Sequence, residues 1–129
     1  MKNKLFHINY NAPVCLTGYG IASLNILREL YKIDNNIISY FPIGQPLIQN
    51  ENDHKILSEM FNNRHLFDID APFIKIWHQF DLGSRIGRGK YFAFPFFELD
   101  TFNKSERIHM SVPDTLFLSS KWAQDIVRL

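Results

Sequence analysis

The order of elements along this 129-residue chain predicts a three-layer α/β sandwich built on a mainly parallel sheet of about five strands. Three observations carry that expectation. Short apolar runs alternate with amphipathic helical stretches over nearly the whole length, the pattern of strands joined by crossover helices. Hydrophobic residues make up 46% and charged residues 21%, an ordinary globular balance. The 12 Phe residues give one domain a sizeable core, and the length leaves no room for two.

Leu5-Phe6-His7-Ile8-Asn9-Tyr10 reads as the first strand, ended by Asn11-Ala12-Pro13. Thr17-Gly18-Tyr19-Gly20 is a turn, after which Ile21, Leu24, Leu27, Leu30 and Tyr31 recur at helical spacing to about Lys32. Asp34-Asn35-Asn36 turns into a second strand, Ile37 to Phe41, stopped by Pro42 and Gly44. Gln45 to Glu51 is polar and loop-like, and Ile56, Leu57, Met60 and Phe61 mark one face of a helix near 51–63. Phe73 to Trp77 is a third strand, and Tyr91 to Phe97 a fourth, interrupted by Pro95. No clear helix separates these two. Asn103 to Met110 suits a short helix and Thr115 to Ser119 a fifth strand; Ser120 then caps a last helix carrying Trp122, Ile126, Val127 and Leu129. Such a parallel sheet is Rossmann-like. Its ligand crevice lies outside the carboxyl ends of the strands, which directs attention to the loops after Tyr10, Phe41, Trp77, Phe97 and Ser119.

Charge and cysteine content exclude several classes. The formal net charge of +1 favours neither nucleic acid nor an anionic membrane. A single cysteine, Cys15, permits no internal disulfide. The start, Met1-Lys2-Asn3-Lys4, is basic like a signal sequence, but His7 and Asn9 break the apolar stretch that would have to follow. No run approaches the ~18 apolar residues of a membrane span. A cytoplasmic location is expected, with peripheral attachment to a membrane left open. The sequence stops at Leu129 inside an apolar helical pattern; a native terminus can look like this, and a cut between two domains explains it at least as well.

Gly18-Tyr19-Gly20-Ile21-Ala22-Ser23 has the form G-x-G-x-x-S between a strand and a helix. Glycines there let backbone amides approach a phosphate or sugar; a tight turn without ligand is the plainer reading. Dinucleotide binding would also want an acidic residue ~20 residues on, where this chain has Ser39-Tyr40-Phe41-Pro42. Gly83-Ser84-Arg85-Ile86-Gly87-Arg88-Gly89-Lys90 is either a solvated basic loop or a place where Arg85 or Arg88 meets an anion; it is not a Walker motif, because Ser84 stands at the first glycine and Tyr91 follows Lys90. Asp68-Ile69-Asp70 precedes a strand and is followed by Ala71-Pro72, so it reads as a turn. The five histidines have no zinc spacing, and no metal or cofactor is expected. Cys15 reads as a small packed residue.

His78 directly follows the third strand, at the edge where catalytic and binding groups collect, and its side chain suits proton transfer near neutral pH; alternatively its ring bonds a nearby carbonyl. Glu98 and Asp100 follow the fourth strand. Either carboxylate could bind sugar hydroxyls or act as a base, but Asp100 or Thr101 also suits a helix cap, which leaves Glu98 the stronger site candidate.

Three segments together resemble the N-terminal domain of GT-B-fold glycosyltransferases, in particular the retaining family 4 group. One is Leu16 to Leu27, similar to the family's glycine loop and first helix. The second is Ile76-Trp77-His78. The third is Phe94-Pro95-Phe96-Phe97-Glu98-Leu99-Asp100 followed by Asp114 to Trp122, similar to the family's Phe-Glu-x-Asp segment and its strand-to-helix step. The resemblance spans nearly the whole chain and lies in order and spacing more than in any one motif. It implies that residues 1–129 form the acceptor-side half of a two-domain enzyme, lacking the C-terminal donor domain and inactive alone. A sugar would pass from a nucleotide-sugar donor to a glycan or lipid-linked acceptor. The resemblance places Gly18, Tyr19 and Gly20 near the donor phosphates, His78 in the cleft and Glu98 along its wall, with no metal required.

Two rival readings remain. One is a stand-alone binding module of flavodoxin or receiver-like build, of which the receiver is disfavoured because it would need acidic residues where Asn9-Tyr10-Asn11 and His78-Gln79 stand. A non-catalytic interaction protein would use the exposed domain-facing surface to form a homodimer.

Overall fold

The structure is a computed structural model that describes residues 6–33 and 35–128; Met1 to Leu5, Asp34 and Leu129 lie outside the described residues. Five strands form one all-parallel sheet: β1 (Phe6–Ala12), β2 (Asn36–Pro42), β3 (Phe73–His78), β4 (Tyr91–Phe96) and β5 (Thr115–Leu116), in the order β2-β1-β3-β4-β5. Four helices flank it: α1 (Gly18–Lys32), α2 (Glu51–Asn62), α3 (Lys104–Ser111) and α4 (Lys121–Arg128). This is the Rossmann-like three-layer α/β arrangement that the alternating pattern predicts.

Side-chain alternation along the strands makes two cores. Register places Tyr10, Tyr40 and Ile76 on one face of the sheet, where they pack with Leu27 of α1 and Ile56, Leu57 and Met60 of α2. The other face carries Phe73, Tyr91 and Ala93, which pack with Leu82, Phe102 and Met110, and Ile126 and Val127 of α4 lean on them. α1 and α2 lie side by side, joined by Arg28, whose guanidinium donates to both carboxylate oxygens of Asp53 at 2.9 and 2.5 Å. Asp53 also receives the side-chain amide of Asn50, the residue that caps α2.

Several boundaries differ from the sequence expectation, each for a local reason. β1 runs on through Asn11 and Ala12, because β2 pairs with it as far as Pro42. α1 begins at Gly18, so the glycine pair is the first helical turn and not a loop before it. β4 runs through Pro95 without a break. Ala93 points its carbonyl at Phe117 on the β5 side, so Pro95, two residues on, directs its missing N–H to that side as well. The β5 ladder has already ended there at Leu116, and no hydrogen bond is lost. β5 is correspondingly two residues long instead of five. Helix α3 is capped by Asn103 in a reciprocal capping box with Glu106, not by Asp100 or Thr101. Ser120 caps α4, as its position suggests, accepting from the Ala123 amide at 3.1 Å.

Parallel strands β3 and β4 are adjacent, yet residues 79–90 join them without a helix. Core side chains hold this crossover instead. Trp77 donates to the Asp81 carboxylate at 3.1 Å, Lys75 to the Ser84 carbonyl at 3.1 Å and Tyr91 to the Leu82 carbonyl at 2.7 Å. The Nδ1 atom of His109 accepts both the Leu82 and Gly83 amides, at 3.1 and 2.9 Å. A neutral ring with such contacts carries its proton on Nε2.

Candidate functional site

A cleft of about 640 Å³ opens at the carboxyl edge of the sheet. Three segments build it. The N-terminus of α1 contributes Thr17, Gly18 and Tyr19; the residues ending and following β3 contribute His78, Gln79 and Phe80; those ending and following β4 contribute Phe96 to Leu99. The parallel register explains the meeting: His78 and Phe96 are directly paired across β3 and β4, and α1 starts from the neighbouring strand.

His78 is the centre of an aromatic cluster. Tyr19 meets it edge-on with ring centroids 4.8 Å apart, Trp77 lies at 4.7 Å, and Phe80 stacks on it at 4.9 Å with only 11° between the planes. Tyr19 also touches Trp77 edge-on at 5.6 Å, so the helix start is tied to the end of β3. Among the described residues no side chain or carbonyl is hydrogen-bonded to the His78 ring, so the expectation that a nearby carbonyl holds it is not met. Glu98 is exposed at the cleft wall. Phe97 beside it turns inward and packs edge-on against Phe102 at 4.9 Å.

Beneath the cleft, buried Gln79 donates to the Glu106 carboxylate at 2.7 Å. The Asn103 amide, with Gln79 second, holds the Glu106 carboxyl below the usual carboxylate range. This pair fixes the turn that follows β3 from below.

Of the residues singled out in the sequence, Gly18, Tyr19, His78 and Glu98 line the cleft together. Gly20 does not. It is buried, and a Cβ there would come within 2.5 to 2.6 Å of three Cys15 atoms, so this glycine is required by the close approach of the preceding loop. Gly18, by contrast, faces open space. Thr17 caps α1 without a side-chain bond, and the first intrahelical amide bond is from Ile21 to the Thr17 carbonyl, which leaves the amides of the first helical turn without an intrahelical partner.

The structure does not bring Arg85 and Arg88 to this place. The Arg88 amide donates to the Ile69 carbonyl at 2.7 Å, and its guanidinium pairs with Asp70 at 2.6 Å. Arg85 folds onto the carbonyls of Gly87 and Gly89 and lies over the Tyr91 ring. Residues 69–70 precede β3 and Gly89 precedes β4, so both arginines sit at the amino edge, across the sheet from the cleft. The turn reading of Asp68-Ile69-Asp70 holds, since Asp68 accepts the Asp70 amide at 2.9 Å. Cys15 is half-buried and lies 2.9 Å from the Thr17 hydroxyl. No cluster of three metal-ligating side chains occurs among the described residues, and no helix there is long and apolar enough to cross a membrane.

Sequence reasoning missed Phe80, Phe96 and Leu99 as cleft residues, and Gln79 and Glu106 as its support. The alternation Tyr91-Phe92-Ala93-Phe94-Pro95-Phe96 carried a signal for Phe96, because every second residue shares the His78 face. Nothing in the sequence distinguished Phe80 from a core aromatic. Comparison with family models, curated proteins and solved structures finds no match to this chain.

Proposed function

We propose that this domain is the acceptor-side half of a glycosyltransferase site, holding an acceptor hydroxyl for transfer of a sugar from a nucleotide-sugar donor. The observation that carries the reading is the convergence of Gly18-Tyr19, His78 and Glu98, distant in sequence, on one cleft at the carboxyl rim. His78 and Glu98 are the groups placed to accept hydrogen bonds, or a proton, from an acceptor hydroxyl. The free amides at the start of α1 offer donors to the phosphates of a sugar nucleotide. Among the described residues no Lys or Arg lines the cleft, so in this reading the remaining donor contacts belong to a second α/β domain facing the rim.

The rim is suited to such a neighbour. Segments that leave strands there expose large apolar side chains outside the cleft lining, among them Leu16, Leu47 and Trp122. A partner domain would cover them.

Calorimetric titration of the 129-residue chain with UDP-glucose, GDP-mannose and short glycans tests the reading, with His78→Ala and Glu98→Gln in parallel. The expected result is glycan binding weakened about tenfold or more by each substitution, the loss of one hydrogen bond for His78→Ala and of its charge assistance for Glu98→Gln. Glycan binding indifferent to both, or none at all, overturns it. Sedimentation of the same samples adds a check: a tight dimer broken by Trp122→Ser would mean that the rim pairs with itself and would favour a non-catalytic interaction module.

A further inference from the structure

We infer that Phe80 is the stacking platform of the cleft and that the ligand it receives is a neutral pyranoside, bound with one ring face on the phenyl group. The inference rests on the acceptor reading above and names its substrate class.

Phe80 is an unusual exposed aromatic because everything around it is fixed. Its neighbours Gln79 and Leu82 are buried, the Asp81 amide closes a turn onto the His78 carbonyl at 3.2 Å, and the Leu82 and Gly83 amides are held by His109. The chain on both sides is therefore pinned, yet the Phe80 side chain remains 53% exposed. One face of its ring is already occupied by the His78 imidazole, nearly parallel at 4.9 Å. The solvent-facing surface is consequently the other face, a flat apolar plate. A large apolar group held open at the mouth of a cleft is a contact waiting for a ligand more than a packing residue.

The rest of the cleft selects the ligand. Its polar side chains are the Glu98 carboxylate, the Thr17 hydroxyl, the His78 ring and the Gln79 amide, the last already bonded to Glu106, and among the described residues no Lys or Arg lines it. A carboxylate without a basic partner repels anions beside it, which disfavours a phosphate or an acidic sugar next to Glu98. A pyranose matches the whole set: its axial C–H bonds form a flat apolar face, and its equatorial hydroxyls radiate at the edge, where Glu98 and Thr17 can bond them.

Saturation-transfer NMR on the 129-residue chain with methyl β-glucopyranoside, and with sorbitol as an acyclic polyol, tests this. The expected result is transfer concentrated on the axial protons of one glucoside ring face, absent for sorbitol, lost in Phe80→Ala and kept in Phe80→Tyr. The glucoside affinity should fall about tenfold in Phe80→Ala. The thermal midpoint should fall only slightly, because half the ring is in water. Equal transfer to sorbitol, binding indifferent to Phe80→Ala, equal losses in Phe80→Ala and Phe80→Tyr, or a large drop in midpoint would each overturn the assignment. Glucoside binding that needs His78 and Glu98 but not Phe80 removes this inference and leaves the acceptor reading standing. Absence of any glycoside binding removes both.

Discussion

Tyr91 donates its hydroxyl proton to the main-chain carbonyl of Leu82 across 2.7 Å, and neither residue is reached by solvent. The bond ties the first residue of β4 back to the loop that leads into it. Burial pushes the Tyr91 phenol well above its ordinary range, so it stays a donor at every pH the protein would meet. Tyr91→Phe removes the donor while preserving the ring's contact with Phe73 at 5.0 Å. It should cost about 1 to 2 kcal/mol, the penalty of leaving a buried carbonyl unpaired. Urea unfolding measures that loss. Hydrogen exchange should show it concentrated in residues 79–90, and a uniform loss across the sheet would contradict the local account.

The two glycines at the start of α1 should respond in opposite directions. A methyl group at Gly20 would meet Cys15 backbone and sulfur atoms at 2.5 to 2.6 Å, and the backbone part of that contact cannot turn aside. Gly20→Ala should therefore destabilise by about 1 to 3 kcal/mol, the usual cost of overpacking. Nothing lies within 4 Å of a methyl group at Gly18. Gly18→Ala should be neutral or add up to about 1 kcal/mol, since alanine loses less chain entropy in a helix. Thermal midpoints of the two variants decide this. Equal effects would mean that the loop before α1 is not closed on the helix as described.

How much of this was legible in the sequence follows from which force sets each feature. The strands and helices were readable because burial of alternate or helically spaced apolar residues is a local pattern, as in Leu27 of α1 or Ile76 of β3. Pro95 misled because its effect depends on where β5 stops, a long-range fact. The sequence leaves Gly20 between a phosphate contact and a tight turn, and the structure shows it is needed for the close approach of Cys15; a glycine's reason lies in what approaches it, and the sequence does not show the neighbour. His78 and Glu98 were legible from position alone, because a parallel sheet sends every post-strand loop to the same rim. Arg85 and Arg88 were not, because the helix-free crossover carries them back to the opposite edge and pairs them there with Asp70 and loop carbonyls.

The Arg28 and Asp53 pair joins α1 to α2 and should give a pH-dependent contribution to stability. The Arg28 guanidinium, hydrogen-bonded to both Asp53 oxygens, holds that carboxyl below its usual range. A carboxyl with a depressed folded-state pKa stabilises the fold fully above its ordinary value near ~4 and loses that contribution as pH falls through the folded value. Arg28→Ala should cost about 1 to 2 kcal/mol at pH 7, toward the low end because the Arg28 side chain is more than a third exposed. The gap between variant and parent should close as the pH is lowered through the depressed Asp53 value. Urea titrations at pH 7, 4 and 2.5 would read it, and a gap independent of pH would assign the loss to packing of the Arg28 stem.

Lys75 should behave in the opposite way, as a buried charge that weakens the fold. It is 4% exposed in the middle of β3, its ammonium donates to the Ser84 carbonyl, and no carboxylate among the described residues lies within ion-pair distance. Burial pushes its pKa down, with the charge of Asp81 opposing the shift only in part. The unfolded chain then binds the Lys75 proton more tightly than the folded one. Between the lowered value and the ordinary ~10.4, stability from this group rises with pH, and below that window the full cost of the buried charge remains. Lys75→Met keeps the length of the stem and removes the charge, and Ser84 is exposed enough for water to take over its carbonyl. The substitution should raise stability at pH 7 by about 1 kcal/mol or more, as other replacements of buried charges by apolar groups do. The gain should shrink on moving from pH 7 to pH 10 in urea unfolding. A loss at pH 7 would mean instead that the bond to Ser84 holds the crossover loop more strongly than the buried charge opposes it, and hydrogen exchange of residues 83–86 would then rise in the variant.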